Sequence, residues 1–486
     1  MANLSADRAR KAEGTYNVVV IGGGTAGLVT AAGTAGLGGR VALIERNKMG
    51  GECLNSGCVP SKALIASARL IDRIRHAQEW GLDPQTPAFR FEAIFERMRR
   101  LREEVGVRDS EERFEALGVD VFRGRAAFTT PHEVTVGDVK LKAKNFVIAA
   151  GSRPTIPAIE GLDRVRFYTN ESIFDELTTR PERLVIAGGG PIGCELGQVF
   201  AQLGVRVTIV QRPGQILERE DPDAAQLVRR RLEADGVTIL TDAKILSVAS
   251  NGTATRLTLG AGADALDCDA FLIAAGRTPN TQSLDLDKAG VAFSKDGVTV
   301  NDYLQTSQPH IYAAGDVAGP YRFTHVADHQ ARTIVRNILL PWARAKWDTV
   351  IPTCTYTSPE LARAGLNERE AKARHIAYDA FTARFEQVDR AVLDGAPAGF
   401  ARVLTAKGKD RILGVTIVGE HAGDLLPEFV LAMKNEIGLT KIAQTVHLYP
   451  TLSEIARKVA DEQQKGRLTP FARRVTDWLY RRQRGA

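Results

Sequence analysis

Two cysteines, Cys53 and Cys58, stand with four residues between them in the run Gly50-Gly-Glu-Cys53-Leu-Asn-Ser-Gly-Cys58-Val-Pro-Ser-Lys62. Two thiols at this spacing, at the start of a helix, can close a small ring and open it again by reduction. A free thiol near pKa ~8.5 is only a few per cent ionised at neutral pH. A helix N-terminus and a nearby cation both lower that pKa and favour the thiolate that does the chemistry. The other three cysteines, Cys194, Cys268 and Cys354, have no close partner in the sequence and read as buried thiols. An odd count of five without an apolar leader is not a disulfide framework. The polar stretch Met1 to Gly14 reads as a disordered lead-in, and the cytoplasm is the expected compartment.

The elements that must position this pair repeat themselves. Tyr16 to Ile21 is a buried-strand run entering Gly22-Gly-Gly24-Thr-Ala-Gly27, followed by a small-residue helix and a second strand ending at Glu45. Arg183 to Ala187 enters Gly188-Gly-Gly190-Pro-Ile-Gly193, and the next strand ends at Gln211-Arg212. Strand, Gly-x-Gly-x-x-Gly, helix, strand is the unit that seats a dinucleotide pyrophosphate on a helix N-terminus. A lone match is weak, but two in the same context point to two dinucleotides, FAD and NAD(P)H. Glu45 can accept hydrogen bonds from ribose hydroxyls, as the adenosine of FAD requires. In the second unit the acid is replaced by Gln211, and Arg212 follows, which favours NADPH over NADH. Phe146 to Pro154 and Phe271 to Pro279 also repeat each other and close the two units, making Gly151 and Gly276 candidate cofactor contacts.

The chain of 486 residues exceeds what one core holds, so several domains are expected. No apolar run is long enough to cross a bilayer. The net charge is +6, and the tail from Lys465 to Ala486 carries seven cations against Asp477 alone, which accounts for the whole excess. The main body is balanced, and no nucleic-acid partner is expected. In the tail, Leu468, Phe471, Val475, Trp478 and Leu479 share one helical face with arginines around the rest. Such a basic amphipathic helix suits an anionic membrane surface, a partner, or its own dimer. Ala68 to Leu117 reads as a solvated helical pair. From about Ile351 strands and helices alternate without a phosphate loop.

The cysteine motif resembles the redox-active site of the glutathione reductase, lipoamide dehydrogenase and mercuric reductase family, and the similarity runs from about Asn17 to Glu454. The resemblance implies an α/β fold with two Rossmann-like dinucleotide-binding domains plus a C-terminal α/β dimerisation domain. It places the FAD-binding domain at 15–160 and 281–345, the NAD(P)-binding domain at 161–280, the dimerisation domain at 346–464 and the basic tail at 465–486. By the same resemblance Cys53 is the interchange thiol and Cys58 the charge-transfer thiolate. Lys62 lies near the flavin N5, Glu195 pairs with Lys62, and Asp316 holds the ribityl chain. A homodimer with active sites shared between subunits follows, with no resident metal.

One departure bears on the acceptor. The family ends in His-Pro-Thr-x-x-Glu, with the His as acid–base and the Glu orienting it; here Tyr449 stands at the His position in His447-Leu-Tyr449-Pro-Thr-Leu-Ser-Glu454. A phenol near pKa ~10 is a poor base at pH 7. Tyr449 could donate a hydrogen bond or, when ionised, bind a soft metal, and His447, two residues away, could share its face and substitute as base. Mercuric reductases also use a tyrosine here, and Phe323 to Arg332 and Thr355 to Glu360 resemble that branch. The sequence has neither an N-terminal Cys-x-x-Cys metal domain nor a C-terminal vicinal cysteine pair, so a dedicated Hg(II) delivery route is not expected. His325 and His329 read as structural or flavin-edge residues. The acceptor is left as a small molecule, a metal ion or a protein-bound disulfide. The leading expectation is a mercuric reductase-like enzyme. The alternatives are a dihydrolipoamide dehydrogenase, or a slow redox flavoprotein held at the inner face of the membrane by its tail.

Overall fold

In the strand Thr15–Ile21, Tyr16, Val18, Val19, Val20 and Ile21 are all buried. Burial on both faces explains why this run is continuously apolar rather than alternating. The computed structural model describes residues 11–252, 254–260, 265–466 and 470–485. Thr15–Ile21 pairs in parallel with Val41–Glu45 on one side and Val139–Ile148 on the other. Val119–Arg123 extends the sheet beyond Val41–Glu45, and Ile311–Ala313 returns from far along the chain to join Val139–Ile148.

The second glycine-rich unit repeats this order. Thr238–Leu240, Arg206–Val210, Arg183–Ala187 and Ala270–Ile273 form a parallel sheet with the glycine-rich strand inside it. In both sheets the strand order reverses beside that strand, which opens a crevice at its carboxyl end. A short antiparallel ladder, Ser152–Pro154 against Arg277–Pro279, ties the two repeats together.

The third layer is a five-stranded antiparallel sheet in the order Pro352–Thr355, Glu360–Gly365, Ile412–Gly419, Phe400–Ala406, Tyr378–Arg384. Helices Ala422–Lys434 and Glu454–Gly466 bury Leu426, Phe429, Ile455 and Val459 in its core. Among the described residues, no helix is long and apolar enough to cross a membrane.

Two expectations need correction. The helices Cys58–Arg75 and Phe91–Gly106 are not a solvated pair. Phe91, Phe95 and Met98 are buried, and the Phe95 ring lies 6.3 Å from Phe200 of the second unit. Charged residues at the remaining helix positions masked this apolar stripe. The lead-in is fixed at its near end: Arg40 donates to the carbonyls of Glu13 (2.6 Å) and Lys11 (2.7 Å), and the Tyr16 hydroxyl donates to Lys11 as well. Residues 1–10 of that lead-in, and Leu468 of the tail stripe, lie outside the described residues.

Candidate active site

One cleft of about 1620 Å³ runs along both glycine loops and past Cys53 and Cys58. The loops are built alike. A Cβ on Gly27 would lie 1.8 Å from the carbonyl oxygen of Gly22, and one on Gly193 would lie 1.9 Å from that of Gly188. Each third glycine is therefore required by helix–strand packing. Gly24 and Gly190 open toward the cleft, as do Gly151 and Gly276, where a Cβ would meet nothing within 4 Å.

At the ends of the second strands the correspondence continues. Glu45 Oε2 accepts from the Gly23 amide at 2.6 Å, and Gln211 Oε1 accepts from the Gly189 amide at 2.7 Å. Both side chains are buried at the cleft wall. Glu45 places an anion there, whereas Gln211 places a neutral amide, with exposed Arg212 beside it. The residues thus fit an adenosine ribose at Glu45 and tolerate a phosphorylated one at Gln211.

The cysteine motif is seated on the first loop. Gly50 and Gly51 have φ of +87° and +60°, and a Cβ on Gly51 would lie 2.5 Å from the Gly24 Cα. The short helix Gly51–Asn55 carries Cys53, and the long helix Cys58–Arg75 begins at Cys58 itself. Cys58 is pulled down to about 6, first by a hydrogen bond from Cys53, then by Thr324 and the charge of Lys62, against desolvation. Its Sγ lies 3.5 Å from Thr324 Oγ1, at the start of the helix Thr324–Leu339. Cys53 is pushed up, first by that same hydrogen bond and then by burial. The hydrogen bond from Cys53 thus favours the thiolate form of Cys58 over that of Cys53.

Lys62 Nζ donates to Glu195 Oε2 at 2.8 Å, and the other Glu195 oxygen accepts from the Tyr356 amide at 2.9 Å. Glu195 is 6% exposed, and the Tyr356 ring lies 4.3 Å beneath the Lys62 ammonium. Asp316 accepts from Ser152, whose hydroxyl in turn accepts from Arg277 Nε at 2.7 Å.

The C-terminal candidates do not line this cleft within their own protomer. Tyr449 is 64% exposed and donates to Asp389 Oδ2 at 3.0 Å, and that carboxylate raises its pKa. The ionised, metal-binding form of Tyr449 is therefore disfavoured. The His447 side chain is 6% exposed, with Nε2 2.9 Å from Glu428 and Nδ1 3.0 Å from the Thr445 carbonyl. The shared face expected for His447 and Tyr449 is not formed; one side chain packs inward and the other points out. Glu454 is buried, with Oε2 unpartnered in the protomer.

The remaining side-chain expectations resolve residue by residue. Cys194 and Cys268 are buried. Cys354 is only partly buried and lines the cleft. His325 Nε2 lies 2.8 Å from the Pro352 carbonyl, and His329 accepts from the Trp347 indole at 3.1 Å.

The sequence reading missed Glu52, Ser152, Asn170, Arg277, Thr324 and Tyr356. Ser152 and Arg277 follow Gly151 and Gly276 in the repeated segments, and Glu52 directly precedes Cys53, so position relative to a known motif was the available signal.

Comparison with known proteins decides the family. Residues 16–331 match the model for pyridine nucleotide-disulphide oxidoreductases, and residues 351–460 match that family's dimerisation domain. This chain belongs to the pyridine nucleotide-disulphide oxidoreductase family. It is 33% identical over 452 residues to a dihydrolipoyl dehydrogenase of Chlamydia muridarum, covering 90% of this chain and 95% of that one. It is 32% identical over 446 residues to a mercuric reductase of Staphylococcus aureus, covering 91% and 81%. The HOCl-induced flavoprotein disulfide reductase RclA from Escherichia coli superposes with a TM-score of 0.81 at 26% identity, covering 92% and 99%, and its Cu(II) complex with 0.82 at 26%, covering 91% and 99%. Like its family, the chain is an FAD-dependent NAD(P)H disulfide oxidoreductase with the two Rossmann-like domains and the dimerisation domain of a homodimer.

Proposed function

We propose that Cys53 and Cys58 are the redox pair of this reductase and that its acceptor is a soft metal ion, as substrate, rather than a dithiol. FAD, when bound, supplies two-electron transfer between nicotinamide and disulfide. The glycine loops, Glu45, Gly151 and Asp316 would hold it, and Gly188, Gly190, Gly193, Arg212 and Gly276 the nicotinamide dinucleotide. Glu195 anchors Lys62 so that its ammonium stays directed at the cleft beside Cys58. Cys58 keeps the negative charge of the reduced pair, and Cys53 hands the electrons on.

The observation that carries the acceptor class is the C-terminal segment. Exchange between dithiols needs a group that removes a proton from one thiol and returns it to another. Tyr449 is a phenol held neutral by Asp389, and both His447 nitrogens are engaged. A partner subunit presenting this segment to Cys53 offers a phenol already committed to Asp389, and a poor base. The metal named for the mercuric reductase relatives and the Cu(II) in the RclA complex belong to those proteins; they suggest which ions to try first. Steady-state NADPH and NADH oxidation should be compared with Hg(II), Cu(II), oxidised glutathione and lipoamide. Metal-dependent turnover at pH 7 well above that with either disulfide is the expected result, and the reverse order overturns the proposal.

A second reading concerns the tail. The helix Pro470–Gln483 has no buried residue, and Phe471, Val475, Trp478 and Leu479 are exposed along one face. With arginines on the other face it suits peripheral contact with an anionic membrane surface.

A further inference from the structure

Glu52 occupies a place that the electron path leaves without a task. It enters the short helix directly before Cys53, held by the Gly50–Gly51 turn against the first phosphate loop. Its Oε1 accepts from Asn170 Nδ2 at 2.9 Å, and the same Asn170 amide donates to the Ser56 carbonyl at 3.0 Å, inside the redox loop. Its Oε2 is ion-paired with Arg277. That guanidinium is 12% exposed and is shared: its Nε lies 3.6 Å from Asp316 Oδ2. One buried cation thus serves two carboxylates, and the group carries an excess negative charge when both are ionised.

The charged and titratable groups around Glu52 are Arg277, Asp316, Glu171, Cys58 and the adjacent Cys53. Only Arg277 favours its anion. Burial is the largest influence and pushes the Glu52 carboxyl up to about 7, with Asp316, Glu171 and Cys58 adding to the rise. A thiolate created at Cys58 is one more negative charge facing a carboxylate that already shares its counter-ion.

We propose that Glu52 is the proton-holding residue of the redox centre, taking up a proton when the Cys53–Cys58 disulfide is reduced and releasing it when the electrons leave. The balance is closed. One hydride from NAD(P)H carries two electrons and one proton. The S–S bond breaks, Cys53 keeps that proton as a thiol, and Cys58 remains a thiolate. A second proton, from solvent, goes to the Glu52 carboxylate and neutralises the site. Reoxidation by the acceptor reverses each change. Glu52 acts through the charge balance around Cys58 and is a positioning residue. The inference rests on Cys53 and Cys58 being the redox pair, and the experiment separates the two.

The FAD-loaded dimer is reduced without oxygen by one equivalent of NADPH at pH 7, in weak buffer with a pH indicator, and new thiols are counted with a thiol reagent. With Cys58 at about 6, only about a tenth of a proton per NADPH should go to Cys58 itself at pH 7. The wild type should take up at least about threefold more protons than Glu52→Gln, because the amide cannot hold one. Glu52→Asp, which keeps an acid there, should retain the uptake. Equal uptake in wild type and Glu52→Gln, with two thiols formed in both, overturns the role of Glu52. Loss in Glu52→Asp as well assigns the effect to the shape of the site and also overturns it. Absence of new thiols in the wild type defeats the redox-pair reading, and the inference with it.

Discussion

Replacing Thr324 by valine should move the Cys58 thiol upward by about one pH unit. The Thr324 hydroxyl is 3.5 Å from the Cys58 sulfur and is one of two hydrogen bonds that lower it, Cys53 being the larger. A hydrogen bond to a charged group contributes about 1.5–3 kcal/mol. At 1.36 kcal/mol per pKa unit that is about 1–2 units, and the long contact argues for the lower end. Cys58 would then titrate near ~7 rather than about 6. At pH 7 the thiolate fraction should fall from about nine-tenths to about one-half. The sign is that of an acid whose pKa rises: thiolate present above the pKa is lost as pH falls through it, so the loss begins at higher pH in the variant. The assay is the long-wavelength thiolate-to-flavin absorbance of the two-electron-reduced enzyme, titrated between pH 5 and 9. Thr324→Ser should stay close to wild type, and Cys58→Ser should abolish the band. An unmoved midpoint in Thr324→Val, with the band intact, would refute the argument that this hydroxyl holds the thiolate.

Arg212→Ala should raise the KM for NADPH by about tenfold and leave NADH within a factor of about two, since about 1.4 kcal/mol corresponds to tenfold; a wild type already preferring NADH tenfold contradicts the reading of Gln211 and Arg212. Tyr449→His should raise lipoamide turnover at pH 7 by about tenfold or more, given the usual 10²–10⁴ of acid–base assistance and an imperfectly placed imidazole. Rapid wild-type lipoamide turnover that survives Tyr449→Phe and collapses in His447→Ala would instead make His447 the base. Removal of residues 465–486 should leave flavin reduction intact and weaken binding to anionic vesicles in a salt-sensitive way; unchanged vesicle binding would favour packing on the dimer.

The two phosphate loops were legible because their demands are local. A glycine that must touch a strand carbonyl is visible as a glycine, and Glu45 and Gln211 stand at the same distance along their units. The return of Ile311–Ala313 to the first sheet could be placed only by family resemblance, because nothing local specifies a partner more than a hundred residues away. Side-chain partnerships were the least legible. The i, i+2 rule put His447 and Tyr449 on one face, but Glu428 and Asp389, from separate helices, draw them apart. The apolar stripe of Phe91–Gly106 was hidden by the arginines and glutamates interleaved with it.

The contact between Gly51 and Gly24 sets a rule for anyone recombining this enzyme with its relatives. The phosphate loop and the cysteine segment are one part, though a helix and a strand lie between them in the chain. A chimaera that exchanges residues around Gly22–Gly27 without those around Gly50–Cys58 joins two surfaces that were never fitted to each other. Crossover points belong before Thr15 or after Arg75, so that nucleotide seat and thiol pair are inherited together.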